Sequence, residues 1–317
     1  YLAVQAAREG GKPLKDSLVE IDRATDVVDN CVEVLRSEGG RVIPMSLNPS
    51  STGRVAFTQF EPIGVVVAIS AFNHPFNLIA HQVSPAIAVG CPVIIKPADI
   101  TPLSCFSFVE ILYEAGLPRD WCQVVVPLDL SIAMSLVSDE RTAFLSFIGS
   151  ARVGWMLRSN LAPGTRCALE HGGAAPVIMA LDADLEDALP RLAKGGFYHA
   201  GQVCVSVQRV FAHFSIATKV AVDLANLVSK MKVGDPTSAD TDVGPLIRNS
   251  EVDRVDEWVK AAIKGGAKCL TGGERISNIS GTNLQLFYHT QNTLFCYMLS
   301  LPVDSQHVPT PSSIRKY

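Results

Sequence analysis

The sequence predicts an α/β protein, with a doubly wound parallel sheet followed by a partial second α/β unit. Short apolar runs rich in β-branched residues alternate with helix-length segments between residues 64 and 179. That alternation is typical of a parallel sheet covered by helices on both faces. Hydrophobic residues make up 48% of the 317 residues and charged residues 18%. We therefore expect a globular protein with a large core and two structural units.

The segments before the sheet are predicted first. Residues 1–37 have apolar positions at helical spacing around a break at Gly10–Pro13, which predicts helices on either side of it. Residues 41–60 place Pro, Ser, Asn and Gly around short β-prone pieces, which predicts a hairpin or an extended excursion.

The sheet and its helices follow in alternation. Strands are predicted at 65–69, 93–95, 123–126, 142–148, 166–169 and 176–179. Helices are predicted at 78–89, at 104–115 and from 152. A second unit then begins, with a helix at 185–198, a strand at 207–214, a helix through 230 and another from 250. The predicted division is a cofactor-binding domain at 1–179, a partial catalytic domain at 180–275 and a divergent tail at 276–317.

Composition argues against several classes of protein. The net charge of −4 and the pI near 6.0 argue against nucleic-acid and anionic-membrane partners, and no apolar stretch is long enough to span a bilayer. The eight cysteines form no CxxC pair, which favours a reduced, cytoplasmic protein without a disulfide frame or a metal site. The chain begins at Tyr1 without a signal peptide, and we expect the natural protein to start earlier.

Two features could hold a nucleotide. Gly149 and Ser150 lie between a strand and a helix, where free N–H groups can face a phosphate, although the spacing alone favours an ordinary turn. Lys96 ends a predicted strand, and ligands of open α/β sheets bind at the carboxyl ends of strands. With Asp99 it could hold a ribose and a phosphate; the alternative is a solvated lysine.

Three further residues could take part in chemistry. Cys204 lies on a turn where its thiol could react, but composition alone does not distinguish it from the seven other cysteines. Glu170 stands between a strand and a Gly pair, where it could act as a base or lie on the surface. Asn73 could stabilise an oxyanion or simply form a turn before Pro75.

The order of these features resembles the aldehyde dehydrogenase superfamily from about residue 8 to about residue 275. The matching pieces are Glu61–Val65, Phe72–Phe76, Gly90–Pro97, Ser146–Ser150, Leu169–Pro176, Gly201–Cys204, Gly234–Pro236 and Gly244–Leu246. The resemblance implies that Cys204 attacks an aldehyde to give a thiohemiacetal and then a thioester. It also implies that Asn73 stabilises the oxyanion and that Glu170 activates the water that releases a carboxylic acid.

The resemblance implies a nicotinamide cofactor and a small aldehyde as partners. NAD is favoured over NADP because Asp99 repels a 2′-phosphate, although NADP remains possible. The residues implied in binding the cofactor are Ile69, Ser70, Lys96, Asp99, Gly149, Ser150 and Gly172. Full-length members of the superfamily form homo-oligomers, and the resemblance implies that the 41–60 excursion contributes to the contact between subunits.

The chain also departs from the superfamily pattern. His171 replaces an apolar residue, residues 126–131 lack the usual glycines, and residues 276–317 do not resemble the superfamily. We therefore expect a truncated member. Two alternatives stay open: a catalytically silent fragment that acts as a scaffold, and a relative that forms acyl-CoA.

Overall fold

The computed structural model describes residues 1–277, 286–289 and 296–297. It divides into two compact units, described separately below. The first comprises Tyr1–Gly172 and Pro236–Ala239, and the second comprises Gly173–Asp235 and the residues from Asp240 onward.

Two helices and a hairpin open the first unit. Helix α1 spans Leu2–Gly10 and helix α2 spans Leu14–Ser37, so the predicted break between helices is confirmed. Gly11 ends α1 with a φ of 75°, a left-handed conformation that glycine adopts without a Cβ clash. Strands β1 (Val42–Ile43) and β2 (Ala56–Phe57) pair antiparallel, which confirms the predicted hairpin. Its part in oligomerisation stays a prediction.

The first unit is built on a five-stranded parallel sheet with the order β5-β4-β3-β6-β7. Its strands are β3 (Val65–Ile69), β4 (Val93–Lys96), β5 (Cys122–Val124), β6 (Thr142–Gly149) and β7 (Arg166–His171). Its helices are α3 (Asn77–Ala88), α4 (Leu103–Glu114), α5 (Leu130–Ser138) and α6 (Ala151–Ser159). The chain runs outward from β3 through β4 to β5, then returns to the other side of β3. The order of strands therefore reverses between β3 and β6.

Alternate side chains of β3 build a core on each face of the sheet. Val66 and Ala68 pack with α3 and α4 residues, and Val67 packs with Leu145, Phe147 and α5 and α6 residues. This alternation follows from the two-residue period of a strand. Both faces are thus covered by helices, and the predicted doubly wound α/β class is confirmed.

Helix α5 was not predicted, because residues 126–131 were interpreted as an altered cofactor-side loop. Asp129 ends that loop and caps the helix, its carboxylate accepting the Ser131 N–H at 2.8 Å. The cap lowers the pKa of Asp129 through this hydrogen bond to the charged carboxylate. The acidic side chain is therefore committed to the helix start.

The second unit has a smaller parallel sheet. Its first part is β8 (Pro176–Met179), α7 (Leu185–Phe197), β9 (Arg209–Ala212) and α8 (Phe214–Val228). Its second part is α9 (Asn249–Lys264), β10 (Lys268–Cys269), β11 (Glu274–Ser277), β12 (Leu286–His289) and β13 (Cys296–Tyr297). Strands β8 and β9 pair parallel, β10 pairs with β13, and β11 pairs with β12.

Strand β8 corrects one detail of the prediction. The sequence placed 176–179 in the first sheet, within a domain ending at 179, but β8 pairs with β9 in the second unit. Its Met179 is buried with Leu189 and Leu224 of α7 and α8, which draws the strand into that core. Most of the predicted tail at 276–317 lies outside the described residues. Among the helices of the described ranges, none is long and apolar enough to cross a membrane.

Candidate active site

The carboxyl ends of β3, β4 and β6 bring four of the predicted cofactor residues to one edge of the first sheet. Ile69 pairs with Lys96 on one side and with Phe147 on the other. The Ser70 N–H donates to the Lys96 carbonyl at 3.0 Å, and Gly149 ends β6 at the same edge. Ligands of open α/β sheets bind at such an edge where the strand order reverses. The edge between β3 and β6 is therefore the candidate nucleotide site.

Gln82 was not predicted, yet it connects the two strands at this reversal. Its Nε2 donates to the Ile69 carbonyl at 3.3 Å and to the carbonyl and hydroxyl oxygens of Ser146, each at 3.0 Å. Gln82 is buried on α3, where an amide needs such partners. A polar residue on an otherwise apolar helix face was the available signal.

Lys96 and Asp99 form an ion pair at this edge. The Lys96 Nζ donates to the Asp99 carboxylate at 2.6 Å and to the Pro97 carbonyl at 3.2 Å. The Lys96 side chain is only 10% exposed, so the solvated-lysine alternative is excluded, whereas the Asp99 side chain is 63% exposed. The outward carboxylate can accept hydrogen bonds from ribose hydroxyls, and the pair fits an adenosine half of a dinucleotide.

The start of α6 supplies a place for a phosphate. Ser150 caps this helix by accepting the Val153 N–H at 3.4 Å, and the N-terminal N–H groups and dipole favour an anion. Two glycines near this helix start are required by side-chain packing within the unit. A Cβ at Gly149 would lie 2.6 Å from the Phe147 ring, and one at Gly154 would lie 2.1 Å from His171 Nε2.

Strand β7 ends with Glu170 and His171, and Gly172 is the last residue of the segment Tyr1–Gly172 of the first unit. The His171 ring packs against Trp155 and Phe147, so this replacement of an apolar residue keeps a packing role. Glu170 pairs with Ile148 in the sheet and its side chain is exposed. A Cβ at Gly172 would meet no atom within 4 Å, which leaves the backbone open there. The geometry of this unit leaves both alternatives for Glu170 open.

Asn73 lies in the loop between β3 and α3, where it is half-buried. Its neighbour His74 is also half-buried. Burial, with the charges of Lys12 and Arg23, lowers the pKa of His74 from 6.5 to about 3. His74 is therefore neutral at pH 7.

His74→Phe should make the first unit less sensitive to acid. The unfolded chain binds a proton at His74 below about pH 6.5, but the folded chain does so only near pH 3. The contribution of neutral His74 to the unfolding free energy is therefore complete above pH 6.5 and is lost as the pH falls toward 3. Between pH 7 and 4.5 the wild type should lose about 2 kcal/mol more of its unfolding free energy than His74→Phe. Urea titrations at both pH values would measure this, and equal losses would contradict it.

Cys204 lies in the second unit on a turn that presents it outward. Val203 and Ser206 are buried at 7% and 2% exposure, whereas Cys204 is exposed. The Ser206 N–H donates to the Val203 carbonyl at 3.0 Å and closes the turn. Within the part of the chain that the structure describes, the Cys204 N–H donates to no acceptor. It is thus available to an oxyanion.

The backbone before Cys204 is strained. His199 and Ala200 have φ values of 49° and 56°, in the left-handed region that residues with a Cβ disfavour. Gln202 holds this backbone, since its Nε2 donates to the His199 and Pro245 carbonyls at 3.1 and 3.3 Å. Its Oε1 accepts the Ile247 N–H at 2.9 Å. Such strain clusters at functional sites, where the surroundings hold it in place.

The Cys204 thiol is exposed, whereas several other thiols of the chain are buried. Cys91, Cys105 and Cys122 are buried, and burial raises the pKa of Cys105 strongly and that of Cys122 to about 11. The Cys105 and Cys122 thiols therefore stay protonated and inert near neutral pH. Among the cysteines whose side chains the structure describes, only Cys204 and Cys269 are exposed.

The first unit is thus a doubly wound α/β fold with a helix start at the candidate edge, and the second carries an exposed thiol. The aldehyde dehydrogenase family model matches residues 1–289, so the chain belongs to the aldehyde dehydrogenase family. The match extends to residue 289, past residue 275 where the resemblance was expected to end, and the bounds of the divergent tail stay a prediction.

Relatives and solved structures agree with this membership. The chain is 39% identical over 269 residues to 3-sulfolactaldehyde dehydrogenase of Priestia aryabhattai, covering 85% of this chain and 56% of the relative. Betaine aldehyde dehydrogenase of Staphylococcus aureus, solved with NAD⁺, superposes with a TM-score of 0.84 at 30% identity, covering 90% and 56%. Glyceraldehyde-3-phosphate dehydrogenase of Methanocaldococcus jannaschii, solved with NADP, gives 0.82 at 34%, covering 90% and 61%. The chain spans little more than half the length of these proteins.

Proposed function

We propose that this chain oxidises an aldehyde to a carboxylic acid with NAD as cofactor and NADP as a possible substitute. The observation that carries the proposal is the exposed Cys204 thiol on a turn whose neighbours are buried. Family membership supports it, as do the cofactors of the two solved relatives. A cytoplasmic location is proposed with it, which the free cysteines of the described residues support.

The residues at the β3/β6 edge fit the cofactor. Lys96 and Asp99 would hold the adenosine ribose, and Gly149, Ser150 and the start of α6 would face the pyrophosphate. Ile69 and Ser70 would line the cleft, with Gly172 leaving open backbone beside it. When bound, NAD would supply the acceptor for the hydride that the substrate carbon loses.

The chain's own residues would carry the covalent steps. The Cys204 thiolate would attack the carbonyl carbon, forming a C–S bond while the carbonyl electrons move to oxygen. The Asn73 amide and the Cys204 N–H would donate hydrogen bonds to that oxyanion. Loss of hydride leaves a thioester. Glu170 would then take a proton from water, whose oxygen attacks the thioester carbon, and the C–S bond breaks to release the carboxylic acid and the thiolate.

Glu170 also separates hydrolysis from the acyl-CoA alternative. A carboxylate at that place has a use in activating water, whereas transfer to CoA needs no such base. Incubating the chain with NAD and small aldehydes, beginning with 3-sulfolactaldehyde, should form NADH and the free acid. Retention of NAD binding without NADH, and without an acyl group on the protein by intact mass, would favour the silent scaffold instead.

Lys96→Met should weaken NAD binding about tenfold, the effect of losing about one charged hydrogen bond. Removing the ammonium also leaves Asp99 without its ion-pair partner at the cleft edge. Titration of NAD against tryptophan fluorescence would measure the dissociation constant. Lys219→Met is the control, because it removes an exposed lysine paired with Asp223 on α8. Equal affinities in both variants would contradict the assignment of the β3/β6 edge.

A further inference from the structure

Helix α3 receives its N-terminal cap from a distant residue. The first N–H groups of this helix, those of Phe76 and Asn77, both donate to Oε1 of Glu20 at 2.9 Å. Glu20 lies on α2, more than 50 positions earlier in the chain. Helix starts leave N–H groups without intrahelical partners, and a carboxylate there also meets the positive end of the helix dipole. Glu20 thus fixes the point where the Asn73 loop enters α3.

The second oxygen of Glu20 is held by Lys12. The Lys12 ammonium pairs with Oε2, and both side chains are 0% exposed. Burial lowers the pKa of Lys12, and the charge of Glu20 opposes that effect. The carboxylate is therefore held from two directions, by an ammonium and by two backbone N–H groups, and has little freedom to move.

The junction between α1 and α2, where Lys12 lies, also contacts the start of the loop that carries Asn73. A Cβ placed at Gly10, the last residue of α1, would lie 3.6 Å from the Phe72 carbonyl oxygen. Lys12 is also close enough to His74 to lower its pKa. The loop is thus packed against α1 just before Asn73 and hydrogen-bonded to α2 just after it.

Stability alone is a weak reason for such a pair. Replacing a buried ion pair by packed apolar residues is often neutral or stabilising, because two charges must be removed from water. Apolar side chains cannot accept two N–H groups at a defined place. Glu20 therefore holds the end of the Asn73 loop by accepting two N–H groups, which a hydrophobic pair cannot do.

We propose that Glu20, held by Lys12, is a positioning residue that fixes the Asn73 amide for oxyanion binding. The proposal rests on the proposed function, in which Asn73 donates to the oxyanion. Glu20 acts through the loop and α3, while Asn73 would contact the substrate. A fixed donor is worth more than a mobile one because it needs no reorganisation when the charge develops.

Hydrogen exchange of the folded chain tests the placement without requiring turnover. Glu20→Gln should accelerate exchange in the peptide around residues 72–80 at least about tenfold, because one amide oxygen cannot serve both Lys12 and the helix start. The strands of the sheet should keep their protection. In the double variant Lys12→Met with Glu20→Gln, exchange around residues 72–80 should slow again toward the wild-type rate. The amide oxygen is then free to accept both N–H groups.

Glu9 offers a matched control. Its two carboxylate oxygens accept the Leu103 and Ser104 N–H groups at 2.8 Å, so Glu9 does for α4 what Glu20 does for α3. Glu9→Gln should accelerate exchange around residues 101–107 and leave 72–80 unchanged. Unchanged exchange at 72–80 in Glu20→Gln, or equal effects of both variants there, would overturn the proposal.

Turnover separates positioning from a general loss of structure. Glu20→Gln should lower kcat about tenfold with the NAD dissociation constant unchanged, and this loss should disappear in an Asn73→Ala background. Equal losses in both backgrounds would show that Glu20 does not act through Asn73. Absence of turnover in the wild type would instead count against the proposed function, while the exchange result still decides whether Glu20 holds the loop.

Discussion

Replacing Cys204 by serine should lower aldehyde-dependent NADH formation at least about a thousandfold. A serine hydroxyl is almost fully protonated near pH 7 and is a far weaker nucleophile than a thiolate. The exposed turn and its strained backbone should stay as they are, because the substitution exchanges one atom. The measurement is kcat/KM with NAD and an aldehyde that the wild type oxidises.

Cys269→Ser is the matched control for this variant. Cys269 is exposed and belongs to the second unit, as Cys204 does, but it lies near the Thr271 and Gly272 carbonyls. Its replacement should leave kcat/KM within about twofold. Intact mass after an acid quench within the first turnover, before the thioester is hydrolysed, should find the acyl group on the wild type and not on Cys204→Ser. A Cys204→Ser protein with a tenth or more of wild-type activity would exclude this thiol as the nucleophile.

The part of the fold that depends on local periodicity was predictable from the sequence. The run Val65–Ile69 has β-branched side chains that pack on both faces of the sheet, so a buried parallel strand was evident. The place where that strand ends follows directly, and with it the position of Ser70. The position of Lys96 follows in the same way from the end of the next strand, Val93–Lys96. Helix α5 was missed because residues 126–131 were considered for the glycines they lack, and Asp129 was not recognised as a helix cap.

Contacts between distant positions were not predictable in the same way. Gln82 reaches Ser146 across 64 positions and Glu20 reaches Phe76 across 56, and neither pairing leaves a periodic signal. The strain before Cys204 was equally hidden, because Ala200 gives no sign of a left-handed conformation. The pairing of β8 with β9 likewise depends on tertiary packing, which a short apolar run does not encode. The sequence therefore indicates the reacting groups better than the residues that hold them.

Lys12→Met should be the most destabilising single substitution predicted for the first unit. Removing one partner of a buried pair leaves the Glu20 charge in an apolar environment, which costs about 3–5 kcal/mol of unfolding free energy. Urea denaturation would measure it through Trp121 and Trp155 fluorescence in a Trp258→Phe background, since Trp258 lies in the second unit. Arg36→Met is the control on the same helix as Glu20. Its pair with Glu33 is 70% and 69% exposed, and its loss should cost less than about 1 kcal/mol.

The double variant shows which part of that cost is unpaired charge. If Lys12→Met destabilises because Glu20 is left charged, then adding Glu20→Gln to it should restore part of the lost free energy, although a further polar group is altered. If the loss came only from the missing lysine stem, the second substitution would add to the first. A cost near that of Arg36→Met would mean that water reaches the pair. Glu20 would then be too weakly held to fix the start of α3.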